Sequence, residues 1–405
     1  MEMSELRALL TPDGLALLDG TDPIVSTAEV ARAVSRLRAA GHAPELVTAV
    51  VGQSTLRARA AAKFGGFAGR MLFTKAGLEQ ATRLGVAARH AQRIRQAGMT
   101  SVADLGCGIG GDALAFAGAG LDVLAVDADE VTAAIAAYNL APFLHTENGE
   151  SGVVVQHGTA EATDISDYDA VWMDPARRTS GHSETRRVSA DDYSPSLDWA
   201  FELASRVPTG IKLGPAHDRD ALPDEAEAQW VSADGSVVEL VVWTGALARP
   251  GVRRAALIIR GERSHELTAG ADAEDAPVRE LGAFLHEPDG AVIRARLIGD
   301  VARSLDAGML DPKIAYLTSD AALTSPFVQS FRVRETMSAN PKAINAALKA
   351  ADIGTLEIKK RGVDIDPAAF RKTLTLRGTQ SATLILARVG SQRLAILADR
   401  VPVAA

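Results

Sequence analysis

Apolar residues fall at helical spacing through the first hundred positions, then bunch from residue 100 into short runs separated by helix-length stretches. Val30, Val34 and Leu37 share one helix face behind Ser26-Thr-Ala-Glu29, a capping-box signature, and Gly41 ends that helix. A second helix starts at Pro44 and carries Leu46, Val50 and Leu56 to Gly65-Gly66, and a third spans roughly Gly77 to Ala97. Strands are then expected at 101–105, 121–126, 153–157, 169–173 and 208–213, with helices between them, notably 111–118 and 129–139. Such alternation predicts a parallel sheet with helical crossovers. Ser236–Trp243 and Arg254–Arg260 follow, parted only by a Gly/Pro-bearing loop, which predicts a terminal antiparallel hairpin. Residues 263–289 are acidic and turn-rich, and a helix near 290–307 and a strand at 314–318 lead to a last module. That module reads helix 341–350, strand 355–360, helix 367–373 and strands 382–388 and 392–397. The expected division is therefore a helical region over 1–98, an α/β domain over 99–262, a connector over 263–330 and a small α+β domain over 331–405.

Composition narrows the class. A length of 405 residues suits two or three domains. No run of eighteen apolar residues occurs, and Met-Glu-Met-Ser-Glu is not a basic-then-apolar leader, so a cytoplasmic protein without a membrane partner is expected. One cysteine excludes an internal disulfide framework and a thiolate-held iron–sulfur cluster. The eight histidines make no ligand-spaced pair with it, so no metal is expected. The net charge of -8 is unevenly spread: residues 331–405 carry 13 Lys+Arg against 6 Asp+Glu, or +7, which leaves 30 against 45, or -15, elsewhere. A basic end on an acidic body is the asymmetry of a nucleic-acid-binding appendage, and ordinary surface variation is the plain alternative.

The chemistry concentrates after the first strand. Val102-Ala-Asp-Leu-Gly-Cys-Gly-Ile-Gly-Gly-Asp112 ends an apolar run in Asp104 and continues into a glycine loop at the start of a helix. Asp127 ends the next strand 23 residues after Asp104, where a carboxylate reaches a ribose diol. Gly106-x-Gly108-x-x-Gly111 also meets the dinucleotide fingerprint. Charge separates the readings, because a pyrophosphate is poorly served by an acid two residues before the first glycine. S-adenosylmethionine carries an ammonium and a sulfonium and no phosphate, so Asp104 suits its ammonium and Asp127 its ribose. Gly106, Cys107, Gly108, Gly110 and Ala128 would line it. A nicotinamide dinucleotide site and a tight turn without ligand are the alternatives.

Ligands of open α/β sheets sit beyond the carboxyl ends of the strands. The third strand ends in His157-Gly-Thr-Ala-Glu161, which resembles the turn that packs on adenine in methyltransferases, usually with an acid where Thr159 stands; the resemblance implies Thr159, Ala160 and Glu161 as candidates for the adenine edge. The fourth delivers Asp174-Pro-Ala-Arg-Arg178, 70 residues past Asp104. Asp174-Pro175 resembles a motif of methyltransferases acting on planar nitrogens, and the resemblance implies Asp174 as the residue that orients a methyl-accepting nitrogen, with Pro175 shaping the loop; a helix cap is the bland reading. Arg177 and Arg178 could grip a phosphate or stack on a base, and Lys212 ends the fifth strand at the same rim. Covalent methylation at pyrimidine C5 needs a cysteine nucleophile, and Cys107 stands in the cofactor loop.

Asp104-x-Gly-x-Gly-x-Gly110 resembles motif I of the class I methyltransferases, and Asp174-Pro175 their Asp/Asn-Pro-Pro-aromatic motif, with Ala176 and Arg177 in place of the second proline and the aromatic. With Lys75-Ala-Gly-Leu-Glu-Gln-Ala-Thr82 and Leu356-Glu-Ile-Lys-Lys-Arg-Gly-Val363, the whole chain is similar to a bacterial group of these enzymes that carries a C-terminal THUMP-like domain. The resemblance implies a Rossmann-like class I methyltransferase sheet, parallel with a terminal antiparallel hairpin, and S-adenosyl-L-methionine as cofactor. It also implies a flap in which Phe73, Thr74, Gln80 and Thr82 contact the cofactor. THUMP domains help bind structured RNA, so N-methylation of a base in tRNA or rRNA is the expected activity, with Lys359, Lys360 and Arg361 as phosphate contacts. A methyltransferase of a small molecule or protein is the second reading, and a catalytically silent RNA-binding protein the third.

Overall fold

The computed structural model describes residues 1–144, 152–177 and 193–402. The chain forms two compact units: Met1–Leu213 with Pro223–Ala226 and Val242–Arg249, and Gly214–Leu222 with Glu227–Val241 and Pro250–Ala405.

The first unit opens with helices α1 (Met3–Leu9), α2 (Pro12–Asp19), α3 (Thr27–Ala39), α4 (Pro44–Phe64), α5 (Lys75–Gln80) and α6 (Leu84–Gln96). The expected capping box starts α3: the Glu29 amide donates to Ser26 Oγ and the Ser26 amide to Glu29 Oε2. The single helix expected from Gly77 to Ala97 is instead broken between α5 and α6. Lys63 Nζ donates to the carbonyls of Leu78, Glu79 and Ala81, each at 2.8 Å, and so caps α5 where another helical turn would continue it.

From Ser101 the unit alternates strand and helix: β1 (Ser101–Leu105), α7 (Gly111–Gly118), β2 (Asp122–Asp127), α8 (Glu130–Leu140), β3 (Val153–His157) and β4 (Ala170–Met173). Two short strands, β5 (Ala176–Arg177) and β6 (Tyr193–Ser194), pair antiparallel, and α9 (Leu197–Ala204) leads to β7 (Thr209–Leu213). Strands pair in parallel in the order β7–β4–β1–β2–β3. The register sets Asp104 beside Ala125 and Trp172, and Asp127 beside His157, so the strand-end carboxylates rise from one edge of the sheet.

The second unit contains β8 (Glu227–Ala233), most of β9 (Ser236–Trp243), β10 (Arg254–Arg260) and β11 (Arg263–Ala269). Here the expected hairpin is corrected. β9 neighbours β8, not β10, across a two-residue turn in which Asp234 (φ 51°) and Gly235 (φ 82°) both take the left-handed conformation. β10 runs parallel to β8 and then turns back as β11. β8 escapes a pattern reading because Glu227, Gln229 and Ser232 interrupt its apolar residues, although the whole strand is buried.

The stretch expected as a connector is also structured. It holds β11, β12 (Phe284–Pro288), α10 (Gly290–Arg294), α11 (Ile298–Ser304), β13 (Gly308–Asp311) and β14 (Ile314–Ser319). The helix expected near 290–307 is thus two, separated at Arg296, where φ is 58°. β15 (Val328–Ser338), α12 (Pro341–Ala350), β16 (Ile353–Arg361), α13 (Pro367–Arg371), β17 (Gln380–Val389) and β18 (Gln392–Arg400) follow. Seven strands form a second sheet in the order β13–β14–β12–β15–β18–β17–β16, with only β16 and β17 parallel among the described residues. Leu384 and Leu386 pack with Ile344 and Leu348 on one face, and Ile385 and Ala387 with Tyr316 and Phe331 on the other. Cover on both faces explains why 383–388 is apolar almost without alternation.

Candidate functional site

The glycine loop leaves β1 under tight backbone control. The amides of Gly106 and Cys107 both donate to Val126 O on β2, at 2.8 and 2.9 Å, and the Gly110 amide returns to Cys107 O. Gly106, Gly108 and Gly110 have φ of 93°, 57° and 84°, a region that a side chain disfavours. Asp127 Oδ2 accepts from the Gly108 amide at 3.0 Å and Oδ1 from the Asp129 amide at 2.9 Å. These bonds aim the carboxylate across the loop and leave lone pairs for a diol. Burial raises its pKa against them. Cys107 is buried, which pushes its thiol well up and keeps it protonated, unsuited to attack as a thiolate.

Asp104 is 1% exposed, and its Oδ2 has no hydrogen-bond partner among the described residues. Burial, reinforced by Asp112, Asp174 and Asp127 and opposed by Lys212, raises its pKa well above the ordinary carboxylate value. A buried, unpartnered carboxylate oxygen among three further acids calls for a cation. The α-ammonium of S-adenosylmethionine fits that demand, whereas a pyrophosphate would meet four carboxylates. Asp127 would hold the ribose, and the exposed Thr159 and Glu161 stand with Ala160 on the turn after β3. Ala128 O lies 3.2 Å from His157 Nε2. Among the described residues no group of three His, Cys, Asp or Glu side chains is placed to hold a metal.

The expected flap residues divide. Phe73 is fully buried with its ring 5.7 Å from that of Phe64, and its amide and carbonyl are both bonded to Gln53. Thr74 caps α5 by accepting from the Gly77 amide, and Gln80 is exposed. Thr82 is buried and donates to Asp112 Oδ2 at 2.7 Å, so its hydroxyl is already committed inside the protein.

Asp174 follows β4 directly, and a Cβ on Gly106 would lie 3.5 Å from its carbonyl oxygen. The Asp174 backbone and the glycine loop therefore lie in close approach. Lys212, expected at the rim as a phosphate contact, turns inward: its ammonium pairs with Asp174 Oδ2 and donates to Thr82 Oγ1 at 2.9 Å. His90 Nδ1 lies 2.8 Å from Asp112 Oδ1, and its ring stacks on Trp172 at 4.3 Å. Asp112 and His90 escape a sequence reading, although Asp112 directly follows the glycines and His90 lies on the buried face of α6. Pro175 is buried behind Asp174. Only the backbone of Arg177, paired with Tyr193, is described, and Arg178 lies outside the described residues.

The second unit holds the other three candidates. Lys359 Nζ is 2.6 Å from Glu287 Oε2, and Arg361 reaches Glu287 Oε1 at 3.5 Å while lying over the Tyr316 ring. Lys360 is exposed.

Comparison with known proteins bears on this geometry. A family model described as THUMP domain-like matches residues 328–400, and a domain of unknown function matches residues 2–60. Across 98% of this chain and 96% of its own, the crystal structure of a candidate methyltransferase from Porphyromonas gingivalis W83 superposes with a TM-score of 0.73 at 22% identity, a likeness of fold. Two Mycobacterium tuberculosis proteins, from strains CDC 1551 and H37Rv, are each named an uncharacterized S-adenosylmethionine-dependent methyltransferase. Each is 33% identical over 364 residues, 88% of this chain and 96% of theirs. With that identity along nearly the whole of both chains, this chain belongs to the S-adenosylmethionine-dependent methyltransferases.

Proposed function

We propose that this methyltransferase N-methylates a base in structured RNA, tRNA or rRNA. The observation that carries the reading is the placement of Asp174 against the glycine loop, with a THUMP-like module on the same chain. Residues 99–262 would carry cofactor and acceptor, and the basic residues 331–405 the RNA contact.

The bound cofactor supplies a methyl group on a sulfonium, which leaves as a thioether when the acceptor nitrogen displaces it. Asp104 holds the ammonium end, and Asp127 and the Gly106–Gly110 backbone hold the ribose side. Asp174 accepts a hydrogen bond from the acceptor N–H and turns the nitrogen lone pair toward the methyl group; the methylated nitrogen, cationic after transfer, then gives up a proton to solvent. The contribution is one of alignment, the effect expected of a displacement whose leaving group is already good. No thiolate is needed, in keeping with the buried Cys107.

Nucleoside mass spectrometry of tRNA and rRNA from a deletion strain tests the substrate, with labelled methyl transfer to that RNA by the purified protein. A missing N-methyl nucleoside restored by the protein is the expected result. Loss of no RNA methyl group would favour the second reading, a small-molecule or protein acceptor, to which the pairing of Lys359 and Arg361 with Glu287 already lends weight.

A further inference from the structure

A chain of side chains begins on β4 and ends at the residue that follows it. The Trp172 ring stacks on His90, and His90 Nδ1 meets Asp112 Oδ1 at 2.8 Å. Thr82 Oγ1 donates to Asp112 Oδ2, Lys212 Nζ donates to Thr82 Oγ1, and the same ammonium pairs with Asp174, two residues beyond Trp172. The polarity of each link is fixed. Thr82 has one hydroxyl proton, and with that proton given to Asp112 its lone pairs face the ammonium. Asp112 keeps its charge despite burial because His90, Lys212 and Thr82 all favour the ionised form.

We infer that Lys212 is a positioning residue for methyl transfer: it acts through Asp174, holding the orientation and the charge of that carboxylate, while Thr82, Asp112 and His90 hold Lys212. The inference rests on the reading of Asp174 as the group that orients the acceptor. A lysine stem is flexible and its ammonium strongly hydrated, so an ordered position needs specific partners. The Lys212 side chain is 11% exposed, and to meet a phosphate outside it would have to leave both Thr82 and Asp174.

Charge supplies the reason for a cation here. Lys212 faces Asp174 from β7 and Asp104 faces it from β1, with Asp112 on α7 and Asp127 on β2 completing an acidic group around Asp104. Removing the ammonium takes a positive charge from beside Asp174 and makes proton uptake by that carboxylate easier. A protonated carboxyl offers its O–H to the nitrogen lone pair that must stay free for the methyl group. Lys212 thereby keeps Asp174 an acceptor of hydrogen bonds.

The test is a titration of the full-length protein labelled at aspartate Cγ, with S-adenosylhomocysteine bound and the Asp174 resonance assigned through Asp174→Asn. Lys212→Met is expected to raise the Asp174 midpoint by about one pH unit or more, and Thr82→Val by a smaller step. Lys212→Arg should restore most of the shift. Calorimetry should find S-adenosylhomocysteine affinity within about threefold of the parent in each variant. Where the acceptor is in hand, Lys212→Met should lower kcat about tenfold or more, with the acid limb of the pH profile moved upward. An Asp174 midpoint unmoved in both Lys212→Met and Thr82→Val overturns the inference, and if Lys212→Met does not fold, Thr82→Val decides alone. Normal turnover by Asp174→Ala would instead overturn the underlying reading, and it leaves the titration result intact.

Discussion

Asn139 on α8 clasps Leu72 from both sides: its Oδ1 accepts from the Leu72 amide at 2.7 Å and its Nδ2 donates to the Leu72 carbonyl at 3.0 Å. The same Nδ2 donates to Ile109 O at 2.9 Å, so one buried side chain ties the segment before α5 to the glycine loop. Asn139→Ala leaves three buried backbone groups short of a partner. Unpaired groups of this kind cost about 1–3 kcal/mol each, less what water recovers. A loss of about 2–4 kcal/mol in urea unfolding, with weaker S-adenosylhomocysteine binding, is expected. Unchanged stability would mean that the clasp adds nothing.

Asp104→Asn separates stability from binding. A carboxyl whose folded pKa lies above its unfolded value binds more protons when folded, so ionising it weakens the fold as pH rises through that window. The neutral amide removes this strain, and the ligand-free variant should melt no lower than its parent at pH 7. Its affinity for S-adenosylhomocysteine should fall about a hundredfold, since the ammonium loses its counter-charge. Thermal melts and calorimetry read the two effects, and full affinity in the variant would remove Asp104 from the cofactor site.

His286 predicts an acid limit for the second unit. Its ring lies between Ser330 Oγ at 2.8 Å and Ser319 Oγ at 2.9 Å, fully buried, and burial depresses its pKa to about 4. The folded form resists the proton that the unfolded chain accepts near pH 6.5. Stability from this residue is therefore complete above about 6.5 and is lost as pH falls toward 4, by about 3 kcal/mol at most. Unfolding free energies across that range should lose most of their slope in His286→Gln, and an equal slope in both proteins would assign the effect elsewhere.

Adjacent lysines of β16 should behave differently toward RNA. Lys359 is neutralised by Glu287, whereas Lys360 is exposed. If the module binds RNA, Lys360→Ala should weaken binding across sequences and reduce the salt slope by about one. Lys359→Ala should leave the slope unchanged and lower stability instead. Equal slopes for Lys360→Ala and the parent would take Lys360 out of the interface.

Much of the first sheet is legible from sequence because each buried apolar run ends in a polar residue at the same edge. Asp104, Asp127 and Asp174 are found by reading those ends, and Gly106, Gly108 and Gly110 by their spacing. β8 is not legible, since Glu227, Gln229 and Ser232 break its pattern while being buried in it. The break between α5 and α6 depends on an ammonium from α4, which no local window contains. The links among Trp172, His90, Asp112, Thr82 and Lys212 join residues 22 to 130 positions apart, so only the fold brings them together. Phe73 is a motif position whose burial the motif does not reveal: its ring packs in the core beside Phe64.

The division of the chain has a consequence for how this protein can be taken apart. Its path crosses from one unit to the other five times, at the boundaries after 213, 222, 226, 241 and 249. A single nick, or a gene cut at one point in that span, leaves each fragment holding part of both units. Independent inheritance of the THUMP-like end, as a cassette shuffled between enzymes, would have to begin beyond 249.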